Sequence, residues 1–237
     1  MREGLHELAP WAAWHGRLMV VAWGVMIPLG ILAARFFKVL PHQNWPHTLD
    51  TKWWWHAHRG LQYSGVVIML CGIAFAWGNA KHAAPADTLH AVLAWGLVAL
   101  AALQIMGGIA RGSKGGPTSL SLRGDHYDMT RRRLIFERLH KSVGYLAACL
   151  SVVVVILGLV AADAPRWMYL LLSLWWLTLV FLFVKLQRQN RSFDTYQAIW
   201  GPDLSHPGNQ LPSSGWGTKR HTAPTFAKAY GQIHKKD

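Results

Sequence analysis

Acidic side chains are scarce in this sequence: Asp and Glu number 11 against 24 Lys and Arg in 237 residues, and charged residues of both signs make up only 15%. A soluble helical protein needs a polar face on each outer helix. Five stretches here have none, since Leu18 to Ala34, Gly60 to Ala80, Thr88 to Ala110, Ser142 to Ala162 and Trp167 to Val184 contain no Asp, Glu, Lys or Arg. Cysteine is nearly absent as well. Cys71 and Cys149 fall inside apolar runs, which argues against a disulfide framework and leaves two thiols packing as small hydrophobes. No basic stretch leads into the first run and Glu3 and Glu7 precede it, so no cleavable signal peptide is expected.

What is present is apolar: 52% hydrophobic residues, among them 14 Trp. The mean hydropathy of only +0.16 reflects a polar tail rather than weak spans. At a rise of about 1.5 Å per residue each run can cross a hydrocarbon layer of roughly 30 Å. The fold class expected is therefore all-α integral membrane, with five transmembrane helices. Trp11, Trp14 and Trp167 suit the interface, and Arg17 and Lys185 can snorkel to it. Pro28 should kink the first helix, and the carbonyl it frees would need a partner from a neighbouring helix or water.

Charge sets an expected orientation. The N-terminus and the connections 79–87 and 163–166 share one side, which holds Arg2, Arg17, Lys81 and Arg166. The other side holds Arg35, Lys38, Lys52, Arg111, Lys114, Arg123, Arg131 to Arg133, Arg138, Lys185, Arg188 and Arg191. The positive-inside rule makes that second side cytoplasmic, with the N-terminus periplasmic and the tail inside a bacterial inner (cell) membrane. The net charge of +13 flanks spans, so anionic lipid headgroups explain it better than nucleic acid does.

Against this apolar background four histidines stand out, because His15, His58, His90 and His140 each sit near the start of a different span. An ionisable ring at the membrane needs a function, and imidazoles are axial ligands of haem iron. His15 and His90 begin helices that run in one direction and share the outer leaflet. His58 and His140 begin helices of the opposite direction and share the inner one. Two pairs at matched depths could hold two b-type haems, their irons about 20 Å apart along helices of roughly 30 Å. Cytochromes that place two ligands on one helix, about fourteen residues apart, are excluded, since those offsets give Leu29, Gly72, Gln104 and Val154. Arg17, Arg59 and Lys141 lie beside the ligands and are candidates for the haem propionates. Arg35, Lys38, Arg111, Arg131, Arg132 and Arg133 form a basic set that could receive an anionic reductant.

Over about Trp14 to Leu186 the chain resembles the cytochrome b561 family. The resemblance rests on HGRLMVVAWGVMIPLGILAARFFK from His15, WWWHAHRGLQYSG around His58, LHAVLAWGLVALAALQIMGGIAR around His90 and FERLHKSVGY around His140. His58, four residues before Gln62, fits the family register; His56 does not. His90 and Gln104 keep a fourteen-residue spacing, and His140 precedes S-V-G-Y by two residues. The resemblance implies a four-helix core made by the first four spans, two b-type haems, and ligands paired first to third and second to fourth. It further implies transmembrane electron transfer, often from cytosolic ascorbate to ferric iron or monodehydroascorbate outside. The family's fused members carry DOMON domains, which are not expected within these residues, and the basic loop Arg111 to Glu137 and the tail are departures that leave donor and acceptor open.

Three parts are expected: a short N-terminus (1–13), the transmembrane domain (14–186) and a largely irregular cytoplasmic tail (187–237). The fifth span, with Trp175 and Trp176, offers no ligand and should pack beside the core facing lipid. Trp200, Trp216, Phe226 and Tyr230 could cap the inner surface or dock a partner, while His206, His221 and His234 read as solvated. Gly24, Gly30, Gly65, Gly72, Gly107 and Gly108 suit either close helix packing or a flat macrocycle. The functional expectation is single-electron transfer from a cytoplasmic donor, ascorbate-like or a protein, to a periplasmic acceptor such as ferric iron. The alternatives are a quinol-linked oxidoreductase and an electron-transfer subunit of a larger complex; a homodimer is left open, as is a haem-free transporter or scaffold.

Overall fold

The structure is a computed structural model and describes residues 8–79, 85–117 and 119–221. Arg2, Glu3, Glu7, Lys81, Phe226, Tyr230 and His234, named above, lie outside the described residues. Among the described residues five helices are long and apolar enough to cross a membrane: α1 (Pro10–Phe36), α2 (Trp53–Trp77), α3 (Pro85–Ile109), α4 (Arg131–Ala161) and α5 (Arg166–Arg188). A short α6 (Thr195–Trp200) follows in the tail. Among the described residues no strand is present beyond one isolated bridge between Phe193 and Lys219. The chain is an all-helical, multi-pass membrane protein.

Local chemistry explains where these helices stop and start. Pro10 opens α1, where a missing N–H costs nothing. Thr130 precedes α4, and its hydroxyl accepts from the Arg133 N–H at 3.4 Å, so α4 begins well before the apolar run. α4 closes with Asp163 in the left-handed region (φ 46°) and Ala164 N–H donating to Leu159 O at 2.9 Å. α5 closes in the same way at Asn190 (φ 55°), with Arg191 N–H donating to Leu186 O at 3.1 Å. Both are short polar residues that tolerate this conformation.

Ahead of Pro28 the α-helical bonding of α1 is interrupted. The proline ring cannot donate to Gly24 O, four residues back, and the helix widens into a π-type segment over Val20–Met26. The Gly24 carbonyl is taken instead by Trp175 Nε1 of α5, which donates to it at 2.7 Å.

The chain divides into two compact units. The first comprises Met1–Leu32, His56–Ile105 and Val143–Val184. Its core is Ala22, Trp23 and Ile27 of α1, Met69 of α2, Leu97 and Ala101 of α3, and Ala147 and Val154 of α4. α5 contributes buried Leu172 and Leu179, while Leu170, Leu171, Leu174 and Leu177 are exposed, as lipid-facing residues should be. Lipid gives little hydrophobic drive between helices, so close approach does the work. A Cβ added at Gly30 would lie 2.4 Å from Gln62 Nε2, one at Gly65 3.1 Å from Ile27, and one at Gly72 3.1 Å from Met19. These three glycines serve α1–α2 packing. Gly107 and Gly108 have nothing within 4 Å of such a Cβ.

The second unit comprises Ala33–Trp55, Met106–Ser142 and Lys185–Asp237. Its apolar centre is Met129, Tyr196 and Trp200. Over 189–221 the tail is largely irregular, as expected, with α6 and one tight helical turn at Pro207–Gln210, yet side-chain contacts pack it. Asp194 caps α6 by accepting from the Tyr196 and Gln197 N–H groups at 2.9 and 3.3 Å, and Tyr196 Oη donates to Tyr127 O at 2.8 Å. Gln197 exchanges two hydrogen bonds with the His221 backbone. His221 stacks on Phe193 with ring centres 5.0 Å apart, and His206 lies 5.7 Å from the Tyr127 ring. Both rings are half-buried rather than solvated. Aromatic side chains give this polar segment enough apolar area to order it.

Candidate functional site: paired imidazoles between helices

His15 and His90 come together inside the first unit. Their ring centres are 6.2 Å apart and their planes cross at 85°. Each ring is half-buried and each is held by its other nitrogen. His15 Nδ1 bonds to Gly72 O of α2 at 2.9 Å, and His90 Nδ1 to Val154 O of α4 at 3.0 Å. His58 repeats the device, its Nδ1 bonding to Gly30 O of α1 at 3.0 Å. A carbonyl can only accept, so Nδ1 carries a proton in all three rings. In the neutral form of such a ring Nε2 keeps its lone pair, the arrangement in which imidazole binds a metal.

This acceptor pattern has a cause in the sequence. A helical carbonyl is already engaged along the axis, and the Cβ four residues later tilts back over it. For Gly30, Gly72 and Val154 that later residue is Ala34, Ala76 and Gly158. Small residues leave the carbonyl rim open to a second donor. At Gly158 the fit is tight, because an added Cβ would lie 3.0 Å from His90 Cε1. Sequence reasoning did not find these acceptors or Gly158; the signal was a small residue four places after each one.

The geometry can be tested against a haem. Two metal–imidazole bonds of about 2 Å and two ring radii of about 1.2 Å, from conjugated bonds of roughly 1.35 Å, put the ring centres about 6.4 Å apart. The observed 6.2 Å matches. Among the described residues no group of three or more His, Cys, Asp or Glu is placed to hold a metal ion.

The remaining expected site residues fall as follows. His56 is exposed while His58 is half-buried, in line with the register that selects His58. His140, in the second unit, rests on the Phe136 ring with centres 5.0 Å apart. Arg17 is exposed and lies over Trp14 at 5.3 Å; Arg59 is exposed and lies over Tyr63 at 5.4 Å. Lys141 is already bound to Glu137 Oε2 at 2.7 Å.

The basic set divides by burial. Arg35, Lys38 and Arg133 are buried. Arg35 donates to Gln187 Oε1 and Trp216 O, Lys38 to Phe193 O at 3.0 Å, and Arg133 to Glu137 at 3.0 Å. Arg111 lies over the Trp55 ring at 4.1 Å and Arg132 donates to Ala110 O at 2.8 Å, leaving Arg131 exposed at the helix start. Burial, followed by the nearby Lys141 charge, pulls the Lys38 amine down to about 7.

A further polar group was not foreseen. His126 is buried, with Nε2 3.9 Å from Glu137 Oε1 and no hydrogen-bond partner. Burial first, and then the Arg133 charge, holds its ring down to about 3, so it is neutral and forms no ion pair with Glu137. Glu137 instead takes Arg133, Lys141 and the Ser214 hydroxyl.

The fold and this site define a class: a multi-pass helical membrane protein that presents paired, tautomer-fixed imidazoles between its spans. Sequence comparison narrows the class. The chain is 29% identical over 157 residues to a cytochrome b561, DM13 and DOMON domain-containing protein of Arabidopsis thaliana, covering 66% of this chain and 15% of that one. It is 27% identical over 212 residues to a cytochrome b561 and DOMON domain-containing protein of the same plant, covering 85% of this chain and 46% of that one. A ferric-chelate reductase 1 of Homo sapiens is 28% identical over 155 residues, 64% of this chain and 22% of its own. The chain thus spans less than half the length of these relatives. No family model and no solved structure matches it. The chain is a relative of the cytochrome b561 domain proteins.

Proposed function

We propose that this protein carries single electrons across a membrane through two b-type haems, one held by His15 and His90 and the other by His58 and His140. The observation that carries the reading is the His15–His90 pair, whose 6.2 Å separation fits axial ligation from both sides. Haem, when bound, supplies an iron that exchanges one electron without moving heavy atoms. The chain's own residues hold and tune it. Gly72 O, Gly30 O and Val154 O fix the imidazole tautomer and raise its basicity as a ligand, and the apolar core around Trp23 and Leu97 excludes water. Arg17 and Arg59, both exposed at span ends, are the propionate partners in this reading.

The charge distribution supports a cytoplasmic tail and a periplasmic N-terminus. The donor is then a cytoplasmic reductant of ascorbate type and the acceptor a periplasmic ferric species, in keeping with a relative named ferric-chelate reductase. A second reading, an electron-transfer subunit served by a protein donor, is favoured by one observation. Arg35, Lys38 and Arg133 are engaged internally, so the cations expected to receive a small anion are fewer than the sequence suggested.

Proteoliposomes with an entrapped ferric complex separate these readings. Ascorbate added outside should reduce the entrapped iron through the native protein, and His15→Ala or His58→Ala should stop it. Reduction by ascorbate alone supports the reductase, and reduction only after a membrane-free cell extract is added supports the subunit. No reduction under either condition contradicts electron transfer.

A further inference from the structure

The fifth span carries no imidazole, yet Trp175 makes a contact that bears on two of them. Pro28 has no N–H to give to the carbonyls one turn before it, and Trp175 Nε1 donates to one of these, Gly24 O, at 2.7 Å. The carbonyl sits in the π-type segment Val20–Met26, which lies between two points of α1 that serve the imidazole sites. Before the segment is His15 itself; after it is Gly30, whose carbonyl holds His58. Each residue absorbed by such a segment turns the following helix by about 100°. The segment therefore sets how far Gly30 is rotated from His15. All of these residues belong to the first unit.

We propose that Trp175 is a positioning residue for both imidazole sites, acting through the Gly24 carbonyl one turn ahead of Pro28. It gives that carbonyl a donor from another helix, locks the π-type segment and fixes the angle between His15 and the carbonyl that orients His58. An indole suits the task because it donates one hydrogen bond and buries the rest of its surface in an apolar setting. The inference rests on the haem reading above, and the test separates the two.

The experiment compares the full-length native protein with Trp175→Phe, Pro28→Ala and the double variant. Haem per chain, the rate of haem loss to a scavenger and the ferric EPR spectrum are recorded in detergent. Trp175→Phe keeps an aromatic ring but removes the donor, and should speed haem loss by about tenfold, the low end of the cost of losing a ligand's direct partner because Trp175 acts one step further out, with a shifted EPR signal. Pro28→Ala supplies the backbone N–H that gives Gly24 O a donor once the segment returns to α-helical bonding. The double variant should therefore return to within about twofold of the native rate. An aromatic residue that only filled space would show no such rescue. Should Trp175→Phe not fold, recovery in the double variant supports the proposal and failure to recover overturns it. A native protein that binds haem, with Trp175→Phe unchanged in haem loss and EPR, overturns this inference alone. A colourless native protein overturns the haem reading and this inference with it.

Discussion

In the unit built from the spans, the polar donors described above are half-buried rings, the imidazoles of His15, His58 and His90 and the indole of Trp175, each given to a backbone carbonyl of another helix. In the unit built from loops and tail, buried polarity is ionic. Glu137 gathers Arg133 and Lys141, Asp194 takes Arg220 at 3.2 Å, and Lys38 and Arg35 reach tail carbonyls. Every ion pair named here belongs to that second unit. The contrast follows from solvent. Charges are costly to strip of water, whereas a helical carbonyl made accessible by a small residue is an acceptor that is always at hand.

The comparison can be broken first at Glu137. Glu137→Ala leaves the buried Arg133 and the partly exposed Lys141 without their shared carboxylate, and should destabilise the second unit by about 3 kcal/mol. Tryptic cleavage around Arg191 and Lys219 reports it. Unchanged protection would mean that the ionic network is not what holds the tail.

Lys38 comes next. The unfolded chain keeps a proton on this amine to about pH 10.5 and the folded chain only to about 7, so between those values unfolding takes up a proton. Stability of the tail should thus rise with pH across that window, by up to a few kcal/mol. Lys38→Met should flatten the dependence. A native profile that is flat, or falls, over the same window would contradict the buried state of Lys38.

Smaller effects belong to the first unit. Gly158→Ala pushes against His90 and should weaken haem retention about tenfold at that pair, read as faster haem loss with the other haem unaffected. His56→Ala removes an exposed ring outside the pairing and should change stability by less than about 0.5 kcal/mol, with full haem content. A loss of haem in His56→Ala would mean that the wrong histidine of the two was assigned.

Much of this was legible in the sequence because the signals are additive along one element. A run such as Ser142 to Ala162 states its own helix, and Pro28 states that one carbonyl upstream will need a donor. The first-to-third pairing followed from helix direction, and the structure brings His15 and His90 together. What was not legible depends on contacts between distant segments. That Trp175 would be the donor, that Val154 and Gly158 would make room for His90, and that Tyr196 and Trp200 would order the tail are outcomes of packing, which periodicity does not carry. The burial of Arg35, Lys38 and Arg133 was not legible for the same reason. Charge near a membrane looks like a docking surface until Arg35 and Lys38 are seen to hold the chain's own tail.

The central claim is that His15 and His90 grip one haem and His58 and His140 another. Haem quantitation with a reduced-minus-oxidised spectrum of the purified full-length protein, beside His15→Ala and His58→Ala, tests it most directly. The account expects a b-type spectrum with two haems per chain, one remaining in each variant, and a strongly anisotropic ferric EPR signal from the crossed His15 and His90 planes that disappears in His15→Ala. A single haem in the native protein, or two haems retained in His15→Ala, would contradict it.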